Sequence, residues 1–166
     1  MAATTQDLNK TLAEHGYAIV ATPDPAAAAT ALSRAAEQFL NRDEDVRVID
    51  GASTGAFGHL LDLGAVLATT PHAANRELDR ILSEMSRRKK RVGTAKWADL
   101  TKAVRPDRLV LLIDAYEELT RSDAGVALRL ASKAARIAEE GAAVGVFLVG
   151  FMRTVDPAEF AGTVAA

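Results

Sequence analysis

Two aspartates, Asp50 and Asp114, each close an apolar run, Val46-Arg47-Val48-Ile49 in one case and Leu109-Val110-Leu111-Leu112-Ile113 in the other. Carboxylates at the ends of buried strands lie at the edge where open α/β sheets receive ligands, so the pair can form a residual cation site. The plainer reading is that each accepts backbone N–H bonds in the turn that follows. Glu117 and Glu118 can supply a displaced catalytic carboxylate or simply begin a solvated helix. A third chemical station would be a phosphate cradle of the form G-x-x-x-x-G-K-[ST], between a strand and a helix. Ala21-Thr22-Pro23-Asp24-Pro25-Ala26-Ala27-Ala28 occupies such a place, but its four key positions are Ala21, Ala26, Ala27 and Ala28. Alanine does not freely take positive φ, Pro23 and Pro25 remove two amide donors, and Asp24 puts negative charge where phosphate would lie. Read plainly, the same residues are a strand-to-helix turn, capped by Asp24 or Thr22 with Pro25 first in the helix.

The densest charge is Arg87-Arg88-Lys89-Lys90-Arg91. It can meet phosphate or an acidic partner, or place cations at a helix C-terminus, where the dipole favours them. It has no interleaved aromatics and so makes a poor stacking platform for single strands. His15, His59 and His72 are scattered and lack metal-ligand spacing. Ser53 has no recognisable base, and no G-x-S-x-G is present. Trp97 reads as a packing anchor, or as an interface residue if exposed. No metal, cofactor or catalytic residue is assigned.

These residues must be positioned by alternating elements. Strands are expected at Tyr17–Ala21, Val46–Ile49, Ala65–Ala68, Leu109–Ile113 and Val144–Val149. Helices are expected over Ala26–Leu40, Ala73–Arg91 and Asp123–Glu140, with a short one near Lys96–Val104 and a glycine-rich loop at Gly51–Gly58. The alternation argues for an α/β fold with a mostly parallel sheet. The chain has 166 residues, 49% hydrophobic and 25% charged, which suits one α/β domain over residues 1–166 with frayed ends at Met1–Thr5 and Gly162–Ala166. A net charge of −2 gives no global reason to bind nucleic acid or an anionic membrane. With no cysteine there is no disulfide framework, and Met1–Lys10 has no apolar signal core. The expected location is cytoplasmic, without membrane insertion.

The order of elements and several phrases between about Tyr17 and Asp156 resemble the FtsK/HerA group of ring-forming P-loop ATPases, which includes DNA translocases and the EccC motors of type VII secretion. Val46-Arg47-Val48-Ile49-Asp50-Gly51 is similar to the group's "V-h-h-I-D-x-K-G" strand without its lysine. Thr69-Thr70-Pro71 and Ser83-Glu84-Met85-Ser86-Arg87-Arg88 resemble a helix entry and the phrase "E-M-x-R-R". Leu109 to Leu119 is similar to the Walker B phrase "h-h-h-h-D-E-x-x-x-L", with Asp114 kept and Ala115 in place of the glutamate that orients water. Leu130 to Arg136 and Gly145 to Val149 resemble the helix and strand that follow, but Gly150-Phe151-Met152-Arg153 stands where the group has "A-T-Q-R-P" with its γ-phosphate-sensing glutamine.

The resemblance implies a P-loop-NTPase-like core of the RecA/FtsK type, and three departures from its catalytic stations imply that hydrolysis is lost. The expected function is a non-hydrolysing pseudo-ATPase acting in assembly, with a protein partner or homo-oligomer and only weak nucleic-acid binding. Two alternatives stand beside it: an ATP-dependent DNA or protein translocase with a non-standard phosphate site, and an unrelated α/β binding or structural protein.

Overall fold

The computed structural model describes residues 5–21, 24–115, 117–118 and 124–152. Residues 1–4, Thr22, Pro23, Tyr116 and 119–123 lie outside them, as do residues 153–166 and with them the tail expected at Gly162–Ala166. The element order is α1 (Thr5–His15), β1 (Tyr17–Ala21), α2 (Pro25–Leu40), β2 (Asp45–Asp50), α3 (His59–Asp62), β3 (Val66–Ala68), α4 (Pro71–Val92), β4 (Leu109–Asp114), α5 (Ala124–Glu140) and β5 (Val146–Met152). Five strands form one sheet in the order β1-β5-β4-β2-β3, and every pairing among them is parallel. β4 and β5 are buried along their whole length, as their unbroken apolar sequence requires when helices cover both faces.

Each face of the sheet has its own apolar layer. On one, Val48, Val110, Leu112, Val149 and Phe151 meet Leu8 and Leu12 of α1 and Leu32, Ala36 and Phe39 of α2. On the other, Ile49, Leu111, Ile113 and Leu148 meet Leu78, Ile81 and Met85 of α4 and Leu130, Ala134 and Ile137 of α5. α2 and α4 start where side-chain oxygens replace missing backbone partners. Asp24 accepts from the Ala26 amide at 3.0 Å with Pro25 next in line, and Thr70 accepts from the Ala73 amide at 3.1 Å ahead of Pro71. α4 stops at Gly93, whose φ of +63° a side chain would resist. Lys133 of α5 ties the two helices together, 2.6 Å from Asp79 and 2.7 Å from Asn75 of α4.

Several sequence expectations shift. α1 was not anticipated; its signal is the four-residue spacing of Leu8 and Leu12, both buried. The last strand begins at Val146 rather than Val144, because residues 142–144 form a 3₁₀ turn ended by Gly145 at φ +76°. The helix expected over Lys96–Val104 is a 3₁₀ turn at Trp97–Asp99. The Arg105 guanidinium reaches back to the carbonyls of Ala98 (3.0 Å) and Leu100 (2.7 Å), acceptors that a continuing helix would need for itself.

Candidate functional site

The candidate acids stand at the carboxyl edge of the sheet. Register places Val20, Phe151, Asp114 and Asp50 in one row across β1, β5, β4 and β2. Side chains alternate along strands, so these positions share the face that carries Val48, Leu112 and α2. Asp50 and Asp114 are therefore lateral neighbours, one strand spacing apart, roughly 4.8 Å between backbones. Asp50 is fully buried and Asp114 nearly so. The Gly55 amide donates to Asp50 Oδ2 at 3.2 Å, while Oδ1 is buried without a partner among the described residues. Glu117 is also buried close after β4.

The turns beyond the two acids are locked together. The Gly51 amide donates to the Asp114 carbonyl at 2.9 Å. A Cβ at Gly51 would lie 2.3 Å from the Ala115 carbonyl oxygen and 2.6 Å from that of Asp114, so only glycine fits. Ala115, where the resemblance places a water-orienting glutamate, is buried with a φ of +46°, a conformation that costs an L-residue about 1–2 kcal/mol. Ser53 anchors the loop above Asp50 through a hydrogen bond from its hydroxyl to the Thr69 carbonyl. Among the described residues no group of three or more acids, histidines or cysteines is placed to hold a metal.

At the other end of the row, β1 closes with Ala21 and α2 opens at Pro25. Ala26 and Ala27 are exposed, whereas Ala28 is buried against the core. The Asp24 carboxylate already takes the Ala26 amide, one of the free N–H groups at the helix start that an anion would otherwise use. Between this turn and Asp114 stands the buried ring of Phe151, so the row runs from apolar to acidic with no cationic side chain in it.

The basic run does not present one surface. Arg88 is 6% exposed, and its Nη1 donates to the Val144 and Gly145 carbonyls, each at 3.2 Å. Its Nε donates to Glu84 at 2.7 Å, and the exposed Arg87 grips the same carboxylate at 2.8 Å. Lys89, Lys90 and Arg91 fill the last turn of α4, where cations complement the helix dipole. The histidines stay apart: His15 lies beside Glu14, and His59 is 3.5 Å from Glu37. Sequence reasoning missed that Glu77 and Arg88 of α4 are buried, although residues 74, 78, 81, 85 and 88 continue one helical stripe. It also missed Arg108 and Glu44 at the amino edge of the sheet, which stand outside any apolar periodicity and carry no spacing signal.

No family model and no curated protein sequence matches the chain. Solved structures do. The conjugation coupling protein TcpA of pCW3, in a monomer form with ATPγS, superposes with a TM-score of 0.75 at 17% identity, over 91% of this chain and 46% of that one. The cytoplasmic domain of the type VII secretion ATPase EccC of Thermomonospora curvata gives a TM-score of 0.65 at 17% identity, over 87% of this chain and 19% of that one. ATPases 2 and 3 of the same EccC, in complex with a signal sequence peptide, give 0.54 at 16% identity, over 85% of this chain and 25% of that one. The chain thus spans less than half the length of each of these structures. Its all-parallel, five-stranded sheet flanked by helices matches the fold of these TcpA and EccC structures.

Proposed function

We propose that the chain is an FtsK/EccC-like pseudo-ATPase domain that does not hydrolyse nucleotide and serves as an assembly or protein-interaction module, with a protein partner or further copies of itself. The observation that supports this most is the row at the carboxyl edge. Phosphoryl transfer relies on positioned positive charge and dipoles around the phosphates. Here the turn after β1 offers four alanines, two prolines and the Asp24 carboxylate, and the next side chain along the row is Phe151. Past it come Asp114 and Asp50, with Ala115 where an acid would orient water. An edge of that composition repels a triphosphate more than it holds one.

Loss of the nucleotide site leaves the sheet and helices intact, so the domain can still present surfaces to a partner. Among the described residues no helix is long and apolar enough to cross a membrane; a cytoplasmic location is a separate part of the proposal. The test is thermal unfolding with and without 1 mM Mg-ATP. A nucleotide bound with micromolar affinity would add about 4 kcal/mol at that concentration, or roughly 10 °C for a chain of this size. The proposal expects a shift below about 1 °C. A rise of several degrees would instead support the translocase reading.

A further inference from the structure

The amino edge of the sheet, opposite the row of acids, holds a cleft of about 950 Å³, within the range of small-molecule sites. α1 and the end of α2 form one side and the segment around Trp97 another, with Arg108 and Phe147 lining the interior. Trp97 is fixed before any ligand arrives. Its Nε1 donates to the Pro106 carbonyl at 2.8 Å, and its ring meets Phe147 edge-on at 5.7 Å. Gly145 lies beneath it, so close that a Cβ there would come within 2.3 Å of Nε1.

The polar end of the cleft is under-compensated. The Arg108 guanidinium lies 4.3 Å from the centre of the Phe147 ring and 5.5 Å from that of Phe39. It is 3.5 Å from Glu44 and donates to Asn9 at 3.3 Å, yet its Nε and Glu44 Oε2 are both buried with no partner among the described residues. Burial pulls the Arg108 pKa below the usual arginine value and pushes that of Glu44 up, each against the attraction of the other. Their mutual attraction does not repay the loss of water. Among the described residues three cations (Arg42, Lys96 and Arg108) line the cleft with one carboxylate, Glu14, while Glu44 lies behind Arg108. The remaining wall is largely methyl groups, from Ala13, Ala98, Ala142 and Ala143.

We propose that this cleft binds a small organic anion with an apolar, planar body, which lies against Trp97 and Phe147 while its carboxylate, phosphate or sulfonate faces Arg108, Arg42 and Lys96. Aromatic walls favour a flat apolar body, and a cation already withdrawn from water interacts strongly with a matching charge. This site is independent of whether the carboxyl edge takes nucleotide.

The test titrates the full chain with 8-anilinonaphthalene-1-sulfonate and, in parallel, with the uncharged N-phenyl-1-naphthylamine. Trp97 is the sole tryptophan and therefore the only indole energy donor. The expected result is one saturable site, with Trp97 emission passed to the dye and the sulfonate bound at least tenfold more tightly than the neutral probe. Arg42→Ala with Lys96→Ala, both at exposed positions, should weaken the sulfonate at least fivefold and leave the neutral probe unchanged. Ala98→Phe should weaken both probes by filling the cleft. Equal affinity for the two probes would overturn the proposal. So would an absence of energy transfer, or binding indifferent to these variants.

Discussion

Glu84→Gln tests whether the ion pair that seats α4 against the turn before β5 contributes to stability. Hydrogen bonds from Arg87, and then hydrogen bonding and charge from Arg88, lower the Glu84 pKa from 4.5 to about 2. A carboxylate held so far down is worth about 3 kcal/mol at neutral pH. Part of that must be discounted, because the Arg87 side chain is 75% exposed and acts through solvent. Arg88 differs: its side chain is 7% exposed, and without Glu84 its charge stays buried against two carbonyls. We therefore expect a loss of about 2 kcal/mol at pH 7. The sign with pH follows from the lowered value: the contribution is complete above the unfolded carboxyl's 4.5 and disappears as pH falls toward about 2. Urea unfolding followed by circular dichroism at pH 7 and pH 3, for the native and variant chains, reads the difference directly. The gap should shrink by about half or more at pH 3. A gap below about 0.5 kcal/mol at pH 7, the level of an ordinary surface pair, would refute the reasoning, and so would one that does not change with pH.

Gly145→Ala should cost more than about 2 kcal/mol, since φ is +76° and the new Cβ would strike Trp97. A red shift of Trp97 emission should accompany it, and unchanged stability with unchanged emission would contradict the packing described. Duplex DNA should bind no more tightly than about micromolar at near-physiological salt, with steep salt dependence and little sequence preference. Fluorescence anisotropy measures this, and tight, selective binding abolished by neutralising Arg87, Lys90 and Arg91 would contradict it. Replacing Ala21, Ala26, Ala27 and Ala28 by Gly, Gly, Lys and Thr should not restore turnover, because Pro23, Pro25 and Ala115 remain; robust turnover in that variant would show the rest of the site to be intact.

The strands were legible because their apolar runs are continuous, and the parallel α/β arrangement followed from the helices between them. The start of α2 was readable as a capped turn with Pro25 first in the helix, its cap left between Asp24 and Thr22. What escaped the sequence reading was decided by distant contacts. Arg88 looked like a member of a basic surface until the carbonyls of residues 144 and 145 took its guanidinium. Glu77 drew no reading from the sequence, and Arg47 at 2.9 Å and Arg80 at 3.3 Å allow it to be buried on the apolar stripe of α4. Asp50 and Asp114 were read as a possible pair from their places at strand ends, but that they are lateral neighbours needed the strand order. The short helix expected at Trp97 failed because Arg105, eight positions away, captured its carbonyls.

Steady-state phosphate release at millimolar Mg-ATP, with Asp114→Ala as the control, tests the proposed loss of catalysis most directly. The turn Ala21–Ala28, Phe151 and Ala115 lead us to expect release indistinguishable from background in both proteins. Release above background that disappears in Asp114→Ala would show a working nucleotide site and contradict the pseudo-ATPase account.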